Sequence, residues 1–179
     1  MVSYVIDAML GTVNEIVISV AKGQAPKYDE YAEIGFEVVE DRTTGTGPIE
    51  GIVSGLKVAR GDYVLVSPCD TPFLRREICD MLLSNASGRD GAVPVIRDKY
   101  EPVHGAFKRD PATKAFETVL TAGKRKPSAA YAKLDLTFVN EATLRKVDPD
   151  LESFWNLNTS EDLRLAEKKI IDSFTLEEG

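Results

Sequence analysis

The segment Tyr63-Val-Leu-Val-Ser-Pro-Cys-Asp-Thr-Pro-Phe73 constrains this chain more than any other. Tyr63 to Val66 is a short apolar run, the pattern of a buried strand, expected to be central in the sheet. Pro68 closes it, and Asp70 follows just past its C-terminal end. Thr71-Pro72 then turns the backbone away, so the Asp70 carboxylate is not committed to helix pairing. In open α/β sheets ligands bind outside the carboxyl ends of the strands. A carboxylate there suits a hard cation such as Mg2+, which prefers oxygen ligands and is commonly bound together with phosphates. Taken alone, the same residues also describe a strand-end Asp that caps the next turn.

A second segment lies upstream, Asp41-Arg-Thr-Thr-Gly-Thr-Gly-Pro-Ile-Glu-Gly51, after a short β-rich run from Phe36 to Val39. Pro48 carries the fixed φ favoured in the first turn of a helix. Ile49, Ile52, Val53, Leu56 and Val58 are spaced for a helix packed on a sheet. Gly51 and Gly55 each weaken an isolated helix by about 1 kcal/mol relative to Ala. At i and i+4 they fall on one face and permit close approach to a strand or a ligand. A glycine-rich turn feeding a helix N-terminus can accept an anion, although many strand-to-helix loops have the same composition.

Together the two segments resemble the molybdenum cofactor guanylyltransferases, which make molybdopterin guanine dinucleotide. The shared pattern is Glu40-Asp41, then Gly47-Pro48-Ile49-Glu50-Gly51, then a strand ending Pro68-Cys69-Asp70-Thr71-Pro72. Tyr100-Glu-Pro-Val-His-Gly105 is similar to the family's segment after a central β-ribbon. Leu120-Thr-Ala-Gly-Lys-Arg125 is similar to its Leu-x-x-Gly-x-Arg helix end. Ser153-Phe-Trp-Asn-Leu-Asn-Thr-Ser-Glu-Asp-Leu163 resembles its Phe-x-Asn-x-Asn-Thr ending. The resemblance runs in the family's order from about residue 1 to about residue 170.

The resemblance implies a three-layer α/β/α, Rossmann-like nucleotide-diphospho-sugar transferase fold with a mostly parallel sheet, in one domain over residues 1–179. It implies transfer of GMP from GTP to molybdopterin, with Mg2+ held by Asp70. Asp41 matches a nucleotide-contacting carboxylate, and Ser19 stands where relatives can carry Asn. Asn156 and Asn158 are expected at the molybdopterin, with His104 a further contact. A homo-oligomer and transient contact with proteins that handle the molybdenum cofactor are also compatible with it. Each residue has a plainer reading. Asn before a Thr cap is common loop chemistry, and a single His between Val103 and Gly105 can be structural. Lys124 and Arg125 can meet a phosphate, or can simply place favourable charge at a helix C-terminus. A CTP- or sugar-phosphate nucleotidyltransferase, or a catalytically silent homologue that binds pterin or nucleotide, shares much of the pattern.

The family also begins with a strand, a loop of the type Leu-Ala-Gly-Gly-x-Ser-x-Arg-Met-Gly, and a Lys, which together hold the triphosphate. Met1-Val-Ser-Tyr-Val-Ile-Asp-Ala-Met-Leu10 instead resembles the family's first helix. The missing strand belongs between the strands at Ile16–Val20 and Tyr63–Val66. The expectation is therefore that something fills this slot, either residues preceding Met1, a strand swapped from a second copy, or a shifted strand, and that these residues alone support little guanylyltransfer.

The rest of the chain agrees with an α/β domain. Strand patterns at 15–20, 36–40, 63–66 and 136–139 alternate with helical patterns at 2–10, 26–34, 48–60, 73–85, 111–122 and 141–147. Gly91–Ile96 and Val103–Lys108 read as an antiparallel ribbon. Thr159 caps a last helix through acidic residues in its first turn, with a frayed tail after Ile171. Hydrophobic residues make up 43% and charged residues 28% of the chain, an ordinary globular composition. A net charge of −7 argues against nucleic-acid binding, and no basic run exceeds Lys124-Arg-Lys126. The two cysteines, Cys69 and Cys79, form no metal or disulfide framework. Cys69 reads as a small buried filler. No signal peptide or membrane span is legible, which points to the cytoplasm.

Overall fold

The computed structural model describes residues 1–177, with side chains through Asp172. Helix α1 (Val2–Met9) leads into strand β1 (Val17–Val20). A 3-10 turn, Ala25–Tyr28, and a short helix α2 (Asp29–Glu33) precede β2 (Glu37–Glu40). Helix α3 (Pro48–Val58), β3 (Tyr63–Val66) and α4 (Arg76–Ala86) follow. Then come β4 (Gly91–Ile96), β5 (Lys99–Tyr100), β6 (Gly105–Lys108) and α5 (Arg109–Thr121). After a 3-10 stretch, Pro127–Lys133, the chain forms β7 (Leu136–Asn140), α6 (Glu141–Leu144), a 3-10 turn (Glu152–Phe154) and α7 (Ser160–Glu177).

The strands make two sheets. β1 and β2 pair in parallel. The five-stranded sheet has the order β3-β6-β4-β5, with β7 paired to β4. β7 runs parallel to β4, whereas β6 runs against both β3 and β4. β3, β4 and β7 therefore point the same way, and their C-terminal ends share one edge. The β4–β6 ribbon forms as its sequence pattern indicates, with β5 as an added finger. Gly91 makes it possible, because a Cβ there would stand 2.5 Å from the Ala106 carbonyl oxygen.

Alternation along the strands sorts side chains into two faces. Val93, Phe107 and Leu136 pack with Ile49, Leu56 and Phe116 from α3 and α5. Ala92, Ala106 and Val139 pack with Ile78 and Leu82 of α4 and Val5 of α1. β4 and β6 thus bury both faces, the requirement of a three-layer α/β/α domain. Leu56 is 2% exposed, and truncating such a side chain to Ala costs about 2–5 kcal/mol.

Three expectations change. β3 is not central: it pairs with β6 on one side, and among the described strands none pairs with its other side. No described strand lies between β1 and β3 either, so a shifted strand of these residues does not fill the slot. With no described strand on that side, all four β3 residues are only half-buried. Helix α3 links the two sheets instead, with Gly51 against β1 and its apolar residues in the core of the larger sheet. Finally, α7 does not end near Ile171 but continues to Glu177. The Thr159 hydroxyl accepts the Asp162 N–H at 3.1 Å, and the Asp162 carboxylate accepts the Thr159 N–H at 2.9 Å. That reciprocal cap nucleates the helix, and its helix-forming residues propagate it. No helix among the described residues is long and apolar enough to cross a membrane.

Candidate active site

The strand ends collect the candidate residues in two groups. The first lies past β1 and β2. The Asp41 N–H donates to the Val20 carbonyl at 2.8 Å, which ties the end of β2 to β1. The Ser19 hydroxyl donates to Asp41 Oδ1 at 3.4 Å. Gly51 of α3 faces both: a Cβ there would stand 3.4 Å from Ser19 Oγ and 3.8 Å from Asp41 Oδ1. Burial raises the Asp41 pKa from its ordinary value. Hydrogen bonds from Ser54 and Ser19 oppose the rise, and the nearby Glu50 charge adds to it. A carboxylate that is costly to ionise unaided gains from a ligand that donates to it.

Glu50 was not singled out from the sequence. It is only 5% exposed, on the inward face of α3. It accepts the Arg42 N–H at 3.3 Å and the Thr43 hydroxyl at 2.9 Å, and so pins the glycine-rich loop that follows Asp41. The signal available was a charged residue beside the apolar Ile49–Ile52 stripe. A cavity of about 270 Å³ opens here, lined by Arg42, Glu50 and Ser54 and by the Lys57–Glu117 ion pair.

The second group lies past β3. Asp70 is half-buried, in the turn between β3 and α4. Its carbonyl accepts the Leu157 N–H at 2.9 Å, and its Oδ1 accepts from Asn156 Nδ2 at 3.4 Å. The late motif and the strand-end carboxylate therefore meet. Asn158 is exposed; its Nδ2 reaches the Asn156 carbonyl at 3.4 Å, and its N–H donates to Asp162. Among the described residues no group of three or more His, Cys, Asp or Glu side chains converges on one point. Asp70 still fits Mg2+, which is commonly held by one or two carboxylates with water and phosphate oxygens filling its shell.

Two residues are placed differently from expectation. His104 is buried, 3% exposed, and packs edge-on against Phe154 with ring centroids 5.0 Å apart. Burial drives its pKa down to about 4, against a smaller upward pull from a hydrogen bond with the Ser153 backbone. Any part it takes in substrate binding therefore runs through the Ser153–Phe154 segment and not through a direct contact. The register pairs Gly105 with Val66, so His104 lies at the Asp70 edge, but beneath its surface. Cys69 is exposed instead of buried, because the turn after Pro68 faces outward. Its thiol pKa is raised, first by desolvation and then by the Asp70 charge, which is the opposite of an activated nucleophile.

Residues 1–135 match the family model for the MobA-like NTP transferase domain. The chain belongs to this family. It is an enzyme of the nucleotidyltransferase class. A probable molybdenum cofactor guanylyltransferase of Methanosarcina mazei is 32% identical over 168 residues, covering 88% of this chain and 73% of that protein. A molybdenum cofactor guanylyltransferase of Desulfosudis oleivorans is 37% identical over 125 residues, 69% of this chain and 61% of the relative. Among solved structures, molybdopterin-guanine dinucleotide biosynthesis protein A from Archaeoglobus fulgidus superposes with a TM-score of 0.77 at 24% identity. That match covers 96% of this chain and 85% of the other. A 2-C-methyl-D-erythritol 4-phosphate cytidylyltransferase from Thermus thermophilus gives 0.71 at 17%, over 94% and 87%. At these identities the structural likeness establishes the nucleotidyltransferase fold, and the MobA-like family is identified by sequence.

Proposed function

We propose that this MobA-like protein transfers GMP from GTP to molybdopterin, forming molybdopterin guanine dinucleotide and pyrophosphate. Family membership supports the reaction class, and the names of the similar relatives support donor and acceptor. The observation that carries the reading at the site is the approach of Asn156 to Asp70. It sets an amide from the late motif beside a carboxylate suited to a metal–phosphate group.

In this reaction an oxygen of the molybdopterin phosphate attacks the α-phosphorus of GTP. The new P–O bond forms as the bond to the bridging oxygen of pyrophosphate breaks. Such in-line transfers depend on positioning and on charge neutralisation, with little covalent work by the protein. Asp70 would hold Mg2+, and the bound ion would neutralise phosphate charge and make the α-phosphorus more electrophilic. Asp41 and Ser19 face the nucleotide from the ends of their strands. Asn156 and Asn158 offer amides to the acceptor. Lys124 and Arg125 are exposed beside the loop that opens α3, where a Cβ on Gly47 would stand 3.8 Å from the Arg125 carbonyl oxygen. They offer local positive charge to phosphates on a chain of net charge −7. One domain carries both substrates, in the cytoplasm, where GTP is held.

The test is incubation of the native protein with Mg2+, molybdopterin and GTP or CTP labelled at the α-phosphate. The expected result is label from GTP in a pterin dinucleotide, with release of pyrophosphate. Label from CTP instead, or no labelled pterin, overturns the proposal.

A further inference from the structure

The segment from Asp148 to Leu157 has little regular structure beyond the turn Glu152–Phe154, yet it delivers Asn156 to Asp70. A buried polar network holds it. Asp148 is 0% exposed. Its Oδ2 accepts the Ser153 N–H at 2.8 Å. Its Oδ1 lies 3.4 Å from Arg75 Nε, an ion pair without an aligned hydrogen bond. Arg75, at the start of α4, spans the junction. Its N–H donates to Ser153 Oγ at 3.0 Å, and its guanidinium reaches the Val147 carbonyl at 3.4 Å and the Glu152 carboxylate at 3.6 Å. Just beyond, Trp155 stacks on Phe73 with centroids 5.4 Å apart and planes 14° from parallel.

A buried ion pair is a weak source of stability, because desolvation offsets most of the attraction. Its value lies in geometry: Asp148 has a fixed acceptor direction and a fixed partner on each side. We propose that Asp148 is a positioning residue for the transfer reaction. Through Ser153 and Arg75 it locks residues 148–157 onto the Phe73–Arg75 segment, and so sets the approach of Asn156 to Asp70. Asp148 itself touches no substrate. The proposal rests on the reading of Asp70 and Asn156 as site residues.

Its test includes a readout that does not depend on turnover. Trp155 is the sole tryptophan of this sequence and reports whether the segment is docked on Phe73. Acrylamide quenching of its fluorescence, thermal melting, and kcat/KM for molybdopterin are measured in the native protein and in Asp148→Ala, Asp148→Asn and Ser153→Ala. In Asp148→Ala, Trp155 quenching rises about twofold as the segment opens locally. Its kcat/KM for molybdopterin falls about 10- to 100-fold, the size of loss that misplacement by about an ångström produces. Asp148→Asn keeps an acceptor for Ser153 and recovers most of both. In a double-mutant cycle, adding Asp148→Ala to Asn156→Ala lowers kcat/KM by less than about twofold more, because the positioned group is already gone. If Asp148→Ala does not fold, Ser153→Ala is put through the same cycle with the same criteria. Unchanged quenching, or losses that simply multiply in the cycle, overturns the positioning role. Raised quenching with full activity in Asn156→Ala overturns the site reading instead and leaves the clamp standing.

Discussion

Asn156 Nδ2 stands 3.4 Å from Asp70 Oδ1, across 86 positions of sequence. Among the described residues neither group has a carboxylate cluster around it, so the pair is small: one acceptor-only side chain and one amide. The long contact leaves Asp70 free to accept from, or coordinate, something stronger.

Asp70→Asn keeps the fold, since the replacement is isosteric at a half-buried turn. It removes the charged oxygen that a hard cation needs. GTP binding measured by calorimetry with and without Mg2+ should lose most of its metal-dependent increment. An increment equal to that of the native protein refutes the role.

Asn156→Ala should raise the apparent KM for molybdopterin more than that for GTP. Asn158→Ala should do so more weakly, because its side chain is exposed and reaches only the Asn156 carbonyl. Equal losses for both substrates that track a lower melting temperature would assign the two asparagines to loop structure.

Asp41→Asn should stabilise the fold and weaken nucleotide binding. The folded pKa of Asp41 is raised by burial, so its charge opposes folding wherever it is ionised, above the unfolded carboxylate range. At pH 7 a neutral amide therefore melts higher. A lower melting temperature with unchanged GTP affinity would contradict both halves.

His104 sets an acid limb of stability. It binds a proton near pH 6.5 in the unfolded chain and only near pH 4 when folded. Between those values the unfolded state holds more protons, so stability falls as pH falls through this window. The loss is absent above about pH 7 and reaches about 3 kcal/mol below pH 4. His104→Leu should flatten the melting-temperature profile between pH 6.5 and 4. Asp41 and Glu101, whose raised pKa values pull the other way, remain in both proteins and cancel in the difference. A parallel pair of profiles would refute this account.

The sequence by itself determined the elements whose cause is local. Tyr63–Val66 and Gly91–Ile96 form over the residues their apolar runs mark. Pro48 opens α3, and Thr159 with Asp162 caps α7, because each depends on neighbours within a turn. It also placed Asp70 at a strand end and Asp41 beyond another. Only the tertiary structure decided the rest. It put β3 at the edge of the described strands, turned Cys69 outward, buried His104 under Phe154, and carried Asn156 to Asp70. It also paired Arg75 with Asp148 and sank Glu50 into the face of α3. None of these has a period or a cap to announce it. Burial and long-range pairing follow from how separate elements pack, and that free energy is shared among side chains distant in sequence.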